Sequence, residues 1–434
     1  MDPIMIGILG LVAFFTLIAF GMPVAFSGFI VGLGGVWVMV GSEAALSVAG
    51  TIPADYVAKY TWAVLPLFIL MGQFALHTGI AHSAFMAGRQ WLGRLPGGLA
   101  SATCVAAALF GAACGSAMAA TTVFTKVALP ELEKAKYDTK LSVGCVTSVG
   151  GLAAVIPPSG LVVVFGIMTE QPIGKLLMAG FIPGAVIATA FILLITLRVM
   201  RNHSLGPPIY GVTWKDRLVS VKGLWPITLL AVLVMGGIYT GVFTPTEAGA
   251  AGAVLALIIA LGMRRLSLSI FWDSLQGAAR STGMIFIIIV GMATFARFLA
   301  ITGLPFAIGN ALVALPLPAL GLLLVILAFY VVLGMFMDPM AMLILTVPVF
   351  FPAIQALGIS PILFGILVVI MCEVGTATPP VGTHVYLTKA LAPHIPIQDI
   401  FRGAIPFVLT TLACVALFAI FPDIALVLPR MMAG

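Results

Sequence analysis

Uninterrupted apolar runs of roughly 17 to 25 residues recur from one end of this 434-residue chain to the other, the length an α-helix needs to cross a hydrocarbon core about 30 Å thick. Hydrophobic residues make up 62% of the chain and charged ones 8%, too little polar surface to cover a soluble globule of this size. Period-two alternation is weak and Leu, Ala and Met are dense, so the pattern predicts an all-α integral membrane protein rather than a barrel. The first run starts at Ile4 without a basic leader and passes through GMPVAF without a small-residue cleavage site, so it reads as a retained helix. Cys104, Cys114, Cys145, Cys372 and Cys414 all lie in apolar runs with no C-x-x-C spacing, which reads as packing rather than disulfide or transition-metal chemistry. The net charge of +6 sits mostly in short loops, where it reports orientation in a membrane and not affinity for nucleic acid.

The prolines repeat. Pro23, Pro96, Pro130, Pro157 and Pro158 recur as Pro245, Pro318, Pro352, Pro379 and Pro380, each pair 222 residues apart, and Gly160 and Gly382 share the offset. The chain therefore divides into a first half over 1–200, a polar cytoplasmic linker over 201–223 and a second half over 224–434. Arg89, Arg94, Lys126, Lys134, Lys136 and Lys140 flank Pro96 and Pro130, whereas the matching stretches 301–318 and 348–362 contain no Lys or Arg. By the positive-inside bias the halves have opposite orientation, and the basic residues around the linker put both termini on the extracytoplasmic side. The expectation is two inverted repeats, each with five crossing helices plus a re-entrant hairpin and a broken helix.

Arm length predicts the hairpins. The run at about 97–130 is interrupted at CGSAMA, leaving arms of about 17 and 13 residues, roughly 25 and 20 Å, neither of which spans comfortably. Its tip is Gly115 and Ser116. The counterpart at about 318–352 has its tip at MFMDPMA, where Asp338 stands 222 residues after Ser116. The more polar SEAALSVAGTIPADYVAKY and SLSIFWDSLQGAAR are expected to lie in the interface plane.

Each half also carries a helix broken in mid-course, at about 141–170 (GGLAAVIPPSGLVVVFG) and about 361–390 (EVGTATPPVGTHVYL). Two successive prolines remove donors and unwind the preceding turn, and the freed carbonyls are tolerable at membrane depth only where they line a cavity or bind something. Paired breaks at repeat-related positions predict a midplane site for an ion and a solute. Unwound carbonyls with the hydroxyls of Ser116, Ser159, Thr376 and Thr378 suit a small hard cation such as sodium, which takes about five or six oxygens by analogy with other hard cations. Half-helix N-termini near Ser159 and Val381 would direct positive dipole ends at a carboxylate. Of fourteen acids, only Asp338 and Glu373 fall well inside the hydrophobic span, which makes each a functional candidate or a buried pin. Glu373 has only Gly151 at its repeat position. His384 either faces the cavity or packs, and Arg297 reads as pairing or snorkelling.

VLPLFILMGQF, GRLPGGLASATCVAAALFGAACGSAMAATTVF, GGLAAVIPPSGLVVVFG, TPTEAGAAGAV, GMFMDPMAMLILTVPVFFPAIQALGISPILFGILVV and GTATPPVGTHVY stand in this order across essentially the whole chain. Together they resemble the large membrane subunit of the tripartite ATP-independent periplasmic (TRAP) transporters, within the ion transporter superfamily. The resemblance implies a sodium-coupled, elevator-type importer of an organic acid in the bacterial inner membrane, not an enzyme, with no cofactor beyond sodium as coupling ion. It implies two partners, a separate small four-helix membrane subunit and a periplasmic substrate-binding protein. It assigns one ion site to Gly115 and Ser116 with Pro157, Ser159 and Gly160, and a second to Asp338 with Thr376, Thr378, Pro379 and Gly382. The solute would meet Ser116, Ser159, Asp338, Thr383 and His384. The alternatives are a stand-alone sodium- or proton-coupled carboxylate transporter and, from another class, a membrane subunit of an enzyme or respiratory complex. The latter would need haem-ligand His pairs or a nucleotide motif, and neither is present in the sequence.

Overall fold

The computed structural model describes residues 2–209 and 212–432, and the regular structure of these residues is helical with no strand. The first half contains α1 (Pro3–Ala19), α2 (Val24–Val40), α3 (Ser42–Val57), α4 (Val64–His77), α5 (Ile80–Leu92), α6 (Gly98–Cys114), α7 (Ala117–Val127), α8 (Leu129–Lys134), α9 (Thr139–Ser148), α10 (Gly150–Val155), α11 (Gly160–Thr169) and α12 (Ile173–Arg201). The linker helix α13 (Trp214–Lys222) leads to α14 (Trp225–Tyr239), α15 (Pro245–Gly262), α16 (Leu268–Thr302), α17 (Leu304–Val313), α18 (Ala319–Gly334), α19 (Pro339–Ala356), α20 (Pro361–Thr376), α21 (Thr383–Leu391), α22 (Ile397–Ile420) and α23 (Asp423–Met431). Helix starts carry the offset seen in the prolines: α19 begins 222 residues after α7, and α20 begins 222 residues after α9.

Local chemistry sets these boundaries. Asp138 caps α9 by accepting from the Leu141 N–H at 2.9 Å, and Thr244 and Glu247 form a reciprocal capping box at the start of α15. Pro245, Pro339 and Pro361 occupy first helical positions, where a missing N–H costs nothing.

Among the described residues, seven helical runs are long and apolar enough to cross a membrane, or eight if the bent pair α13 and α14 is one span. The chain is a multi-pass membrane protein. α1 and α2, at 17 residues each, fall just short of that length, while α19 reaches it with 18 because it continues through Pro348 and Pro352. SLSIFWDSLQGAAR is not a separate interfacial helix. It forms the first turns of α16, whose 35 residues extend about 52 Å at 1.5 Å per residue, with no turn to part the polar segment from the span that follows. In the first half α3 does stand apart, separated from α4 by a 3₁₀ turn over Tyr60–Ala63.

Packing sorts the helices into two groups. α2 lies along α16 and α15 along α4, so each half contributes to an outer bundle of α1–α4 and α14–α16. Small residues make this possible: a Cβ on Gly32 would lie 2.7 Å from the Thr294 backbone, and one on Gly291 would lie 2.0 Å from the Ala25 carbonyl oxygen. The second group holds the hairpins α6–α7 and α18–α19 with the broken helices α9–α11 and α20–α21, backed by α12 and α22. Within it the arms are exchanged. α7 packs on α10 of its own half and on α21 of the other, and α19 packs on α20 of its own half and on α11 of the other.

Candidate ion and solute site

Between the two groups lies a cavity of about 360 Å³, walled on one side by α4 and α16 and on the other by both hairpin tips, the first helix break and the start of α21. Each tip is a capped helix start. Gly115 ends α6 in the left-handed region (φ +62°), Ser116 turns extended, and the Ser116 Oγ accepts from the Ala119 N–H at 3.4 Å. Only glycine fits at Gly115, since a Cβ there would come within 2.1 Å of the Pro158 carbonyl oxygen; the first tip is thereby seated directly on the first break. In the second hairpin Asp338 caps α19 by accepting from the Met340 N–H at 2.9 Å, which leaves carboxylate capacity facing the cavity.

The breaks are built alike and exposed differently. α10 stops at Val155 and α11 restarts at Gly160, with the Ser159 Oγ accepting from the Val162 N–H at 3.3 Å. α20 stops at Thr376 and α21 restarts after Gly382, which sits at φ +58°. The Thr376 hydroxyl donates to the Glu373 carbonyl at 2.7 Å and the Thr378 hydroxyl to the Val374 carbonyl at 2.6 Å, so both oxygens keep lone pairs for a cation. The Pro157–Pro158 and Pro379–Pro380 peptide bonds are cis. Pro157 and Pro158 are buried, whereas Pro379 and Pro380 are exposed.

Gly115, Ser116, Gly160, Asp338, Thr383 and His384 all line the cavity, together with Glu373. Pro157, Ser159, Thr376, Thr378, Pro379 and Gly382 do not. Ser159, expected to contact the solute, is fully buried behind Pro158 with its Oγ engaged by its own helix start; it shapes the break instead of facing the cavity. Arg297 is exposed on α16 and forms no ion pair among the described residues. Sequence reasoning missed Gln73 on α4 and Ser281 on α16, the polar wall opposite the tips. The signal for Gln73 was present, an amide inside the apolar run VLPLFILMGQF, whereas Ser281 follows the polar segment at the start of α16 and carries none. Among the described residues no Lys or Arg side chain lines the cavity. The lining is mostly apolar, and its few polar side chains are mainly oxygen donors, the kind a hard cation takes.

A polytopic bundle with broken helices and hairpin tips around one cavity defines a membrane transporter. Solved structures share the fold: the YdaH transporter of Alcanivorax borkumensis aligns with a TM-score of 0.58 at 14% identity, covering 89% of this chain and 90% of that one. MtrF of Neisseria gonorrhoeae aligns equally well, with a TM-score of 0.58 at 14% identity over 88% of this chain and 85% of its own. The family model for the tripartite ATP-independent periplasmic transporter, DctM component, matches residues 11–424, and the chain belongs to that family. It is 33% identical over 373 residues to the C4-dicarboxylate TRAP transporter large permease protein DctM of Pseudomonas aeruginosa, covering 86% of each chain. It is 31% identical to the ectoine TRAP transporter large permease protein TeaC of Halomonas elongata, over 88% of this chain and 87% of that one. Against the sialic acid TRAP transporter large permease protein SiaM of Vibrio cholerae the identity is 27%, over 95% of this chain and 96% of that one. The motif resemblance in the sequence thus corresponds to family membership, and the protein is a transporter subunit rather than an enzyme.

Proposed function

We propose that this chain is the large permease of a sodium-coupled importer of an organic acid, with the hairpins and broken helices moving as an elevator against the bundle of α1–α4 and α14–α16. The charge of the cavity carries the reading. Asp338 and Glu373 line it and no Lys or Arg does, so among the described residues an anion entering alone finds no fixed counter-charge, and wherever the acids are ionised it meets like charge. At a separation of about 6 Å and an effective dielectric of about 20, each ionised carboxylate would oppose a bound anion by roughly 3 kcal/mol. Cations bound beside the anion reverse that sign, which is what coupling to sodium supplies.

On this reading one sodium is held by the Gly115 and Ser116 tip with Pro157, Ser159 and Gly160, and another by Asp338 with Thr376, Thr378, Pro379 and Gly382. The solute sits against Ser116, Asp338, Thr383 and His384. The relatives named for C4-dicarboxylate and sialic acid support an acid as cargo. The repeated element order and exchanged arms support two inverted halves, family membership supports placement in the bacterial inner membrane, and the charge asymmetry supports periplasmic termini. A separate small four-helix membrane subunit and a periplasmic binding protein complete the system.

The test is solute uptake into proteoliposomes holding the large and small subunits, with the cognate binding protein and its solute added outside. Replacing external sodium by potassium is expected to abolish accumulation; equal uptake in both salts would overturn the proposal.

A further inference from the structure

Behind the solute cavity lies a second, water-sized space of about 30 Å³ between α10, α12, α20 and α22, and Glu373 and His384 form the wall between the two. The Glu373 side chain is more than nine-tenths buried, and its Oε2 has no hydrogen-bond partner. The Ser148 Oγ, on the lining of the same small space, has none either. The His384 Nε2 lies 3.7 Å from the Glu373 Oε2.

At 3.7 Å the Glu373 Oε2 and the His384 Nε2 are too far apart for a direct hydrogen bond, and the Thr376 hydroxyl, 3.5 Å from the His384 Nδ1, directs its hydrogen to the Glu373 carbonyl. A hard cation with ligand distances of about 2.4 Å would bridge two atoms spaced this way, with the unpartnered Ser148 Oγ on the lining of the same space. No Lys or Arg lines either space among the described residues, so a cation in the gap would be the counter-charge of the Glu373 carboxylate.

We infer that Glu373, His384 and Ser148 contribute side chains to a further monovalent-cation site, separate from the two sites at the hairpin tips. It rests on the sodium-coupled reading above. This site has no repeat mate: Gly151, at the repeat position of Glu373, packs directly on the Glu373 side chain, so the site lies where the two halves meet and the position is filled once. The coupling ions are accordingly a repeat-related pair plus one unpaired ion.

The experiment is equilibrium binding of radioactive sodium, with no solute, to the purified full chain in lipid nanodiscs, for the wild type, Glu373→Gln, Ser148→Ala and Asp338→Asn. Glu373→Gln is expected to bind one sodium fewer per chain, or to weaken one site at least about tenfold. Ser148→Ala should keep the count and weaken one site severalfold, and Glu373→Gln with Asp338→Asn should lose two. Wild-type count and affinity in Glu373→Gln would mean that the gap holds only water and would overturn the inference while leaving sodium coupling intact. Should Glu373→Gln not fold, unchanged sodium affinity in Ser148→Ala overturns it equally. A wild type that binds no sodium sinks this inference and the coupling together.

Discussion

Gly115→Ala tests the seat of the first hairpin on the first break. The added Cβ would stand 2.1 Å from the Pro158 carbonyl oxygen at φ +62°. Two costs follow: a left-handed conformation costs a residue with a Cβ roughly 1–2 kcal/mol, and tip and break must part by about 1 Å before the contact is tolerable. Gly358→Ala separates them, since Gly358 has φ +69° with nothing within 4 Å of the position its Cβ would take. Both variants should lose similar stability from the backbone term. Only Gly115→Ala should also weaken sodium binding, because moving coordinating oxygens by about 1 Å costs a preorganised site some tenfold to hundredfold, or about 1.4–2.7 kcal/mol. The assay is sodium-dependent stabilisation against heat in detergent, titrated for the wild type and both variants, with membrane insertion checked by size-exclusion chromatography. Equal sodium affinity in all three proteins would refute the argument that this contact holds an ion site.

Asp338→Ala and Thr378→Val are expected to impair sodium-dependent uptake with insertion intact. Because Asp338 also caps α19, Asp338→Asn, which keeps an acceptor and loses the charge, should restore stability lost in the alanine variant, up to about 1 kcal/mol, without restoring uptake. On α8, outside the apolar spans, the Lys134 ammonium at 2.8 Å, helped by Arg89 at 3.1 Å, holds the Glu131 carboxyl below the usual carboxylate range. This pair's stabilisation is therefore present above the ordinary carboxylate value and lost as pH falls through the lowered one; at this exposure it amounts to about 0.5 kcal/mol, and Glu131→Gln should remove that acid-side loss in a thermal-melt pH series.

Much of the arrangement was legible because proline and glycine act on the backbone locally. The doubled prolines mark where α10 and α20 give way, and Gly115 and Asp338 mark turns that nothing bulkier or less polar would make. Side-chain direction was not legible. Ser159 and Thr376 carry hydroxyls in the expected segments, yet neither lines the cavity, and each is engaged by a nearby backbone group, as a serine or threonine beside a broken helix commonly is. The far wall, with Gln73 and Ser281, depends on how the outer bundle meets the tips, and no local pattern records that. The length of α16 was missed for a related reason: polarity reports the depth at which a segment sits, while continuity depends on whether a turn interrupts it.

The exchange of arms between the halves has a consequence for biogenesis. When α7 leaves the ribosome its own-half neighbour α10 follows soon after, but α21, its other partner, lies near the end of the chain. The first hairpin must therefore wait in the bilayer, half-covered by lipid or by the insertion machinery, until nearly the whole protein has been synthesised. The second finds α11 already made. Neither half can complete its packing alone, so a chain truncated at the linker would leave an unpaired hairpin for membrane quality control to recognise rather than half a working transporter.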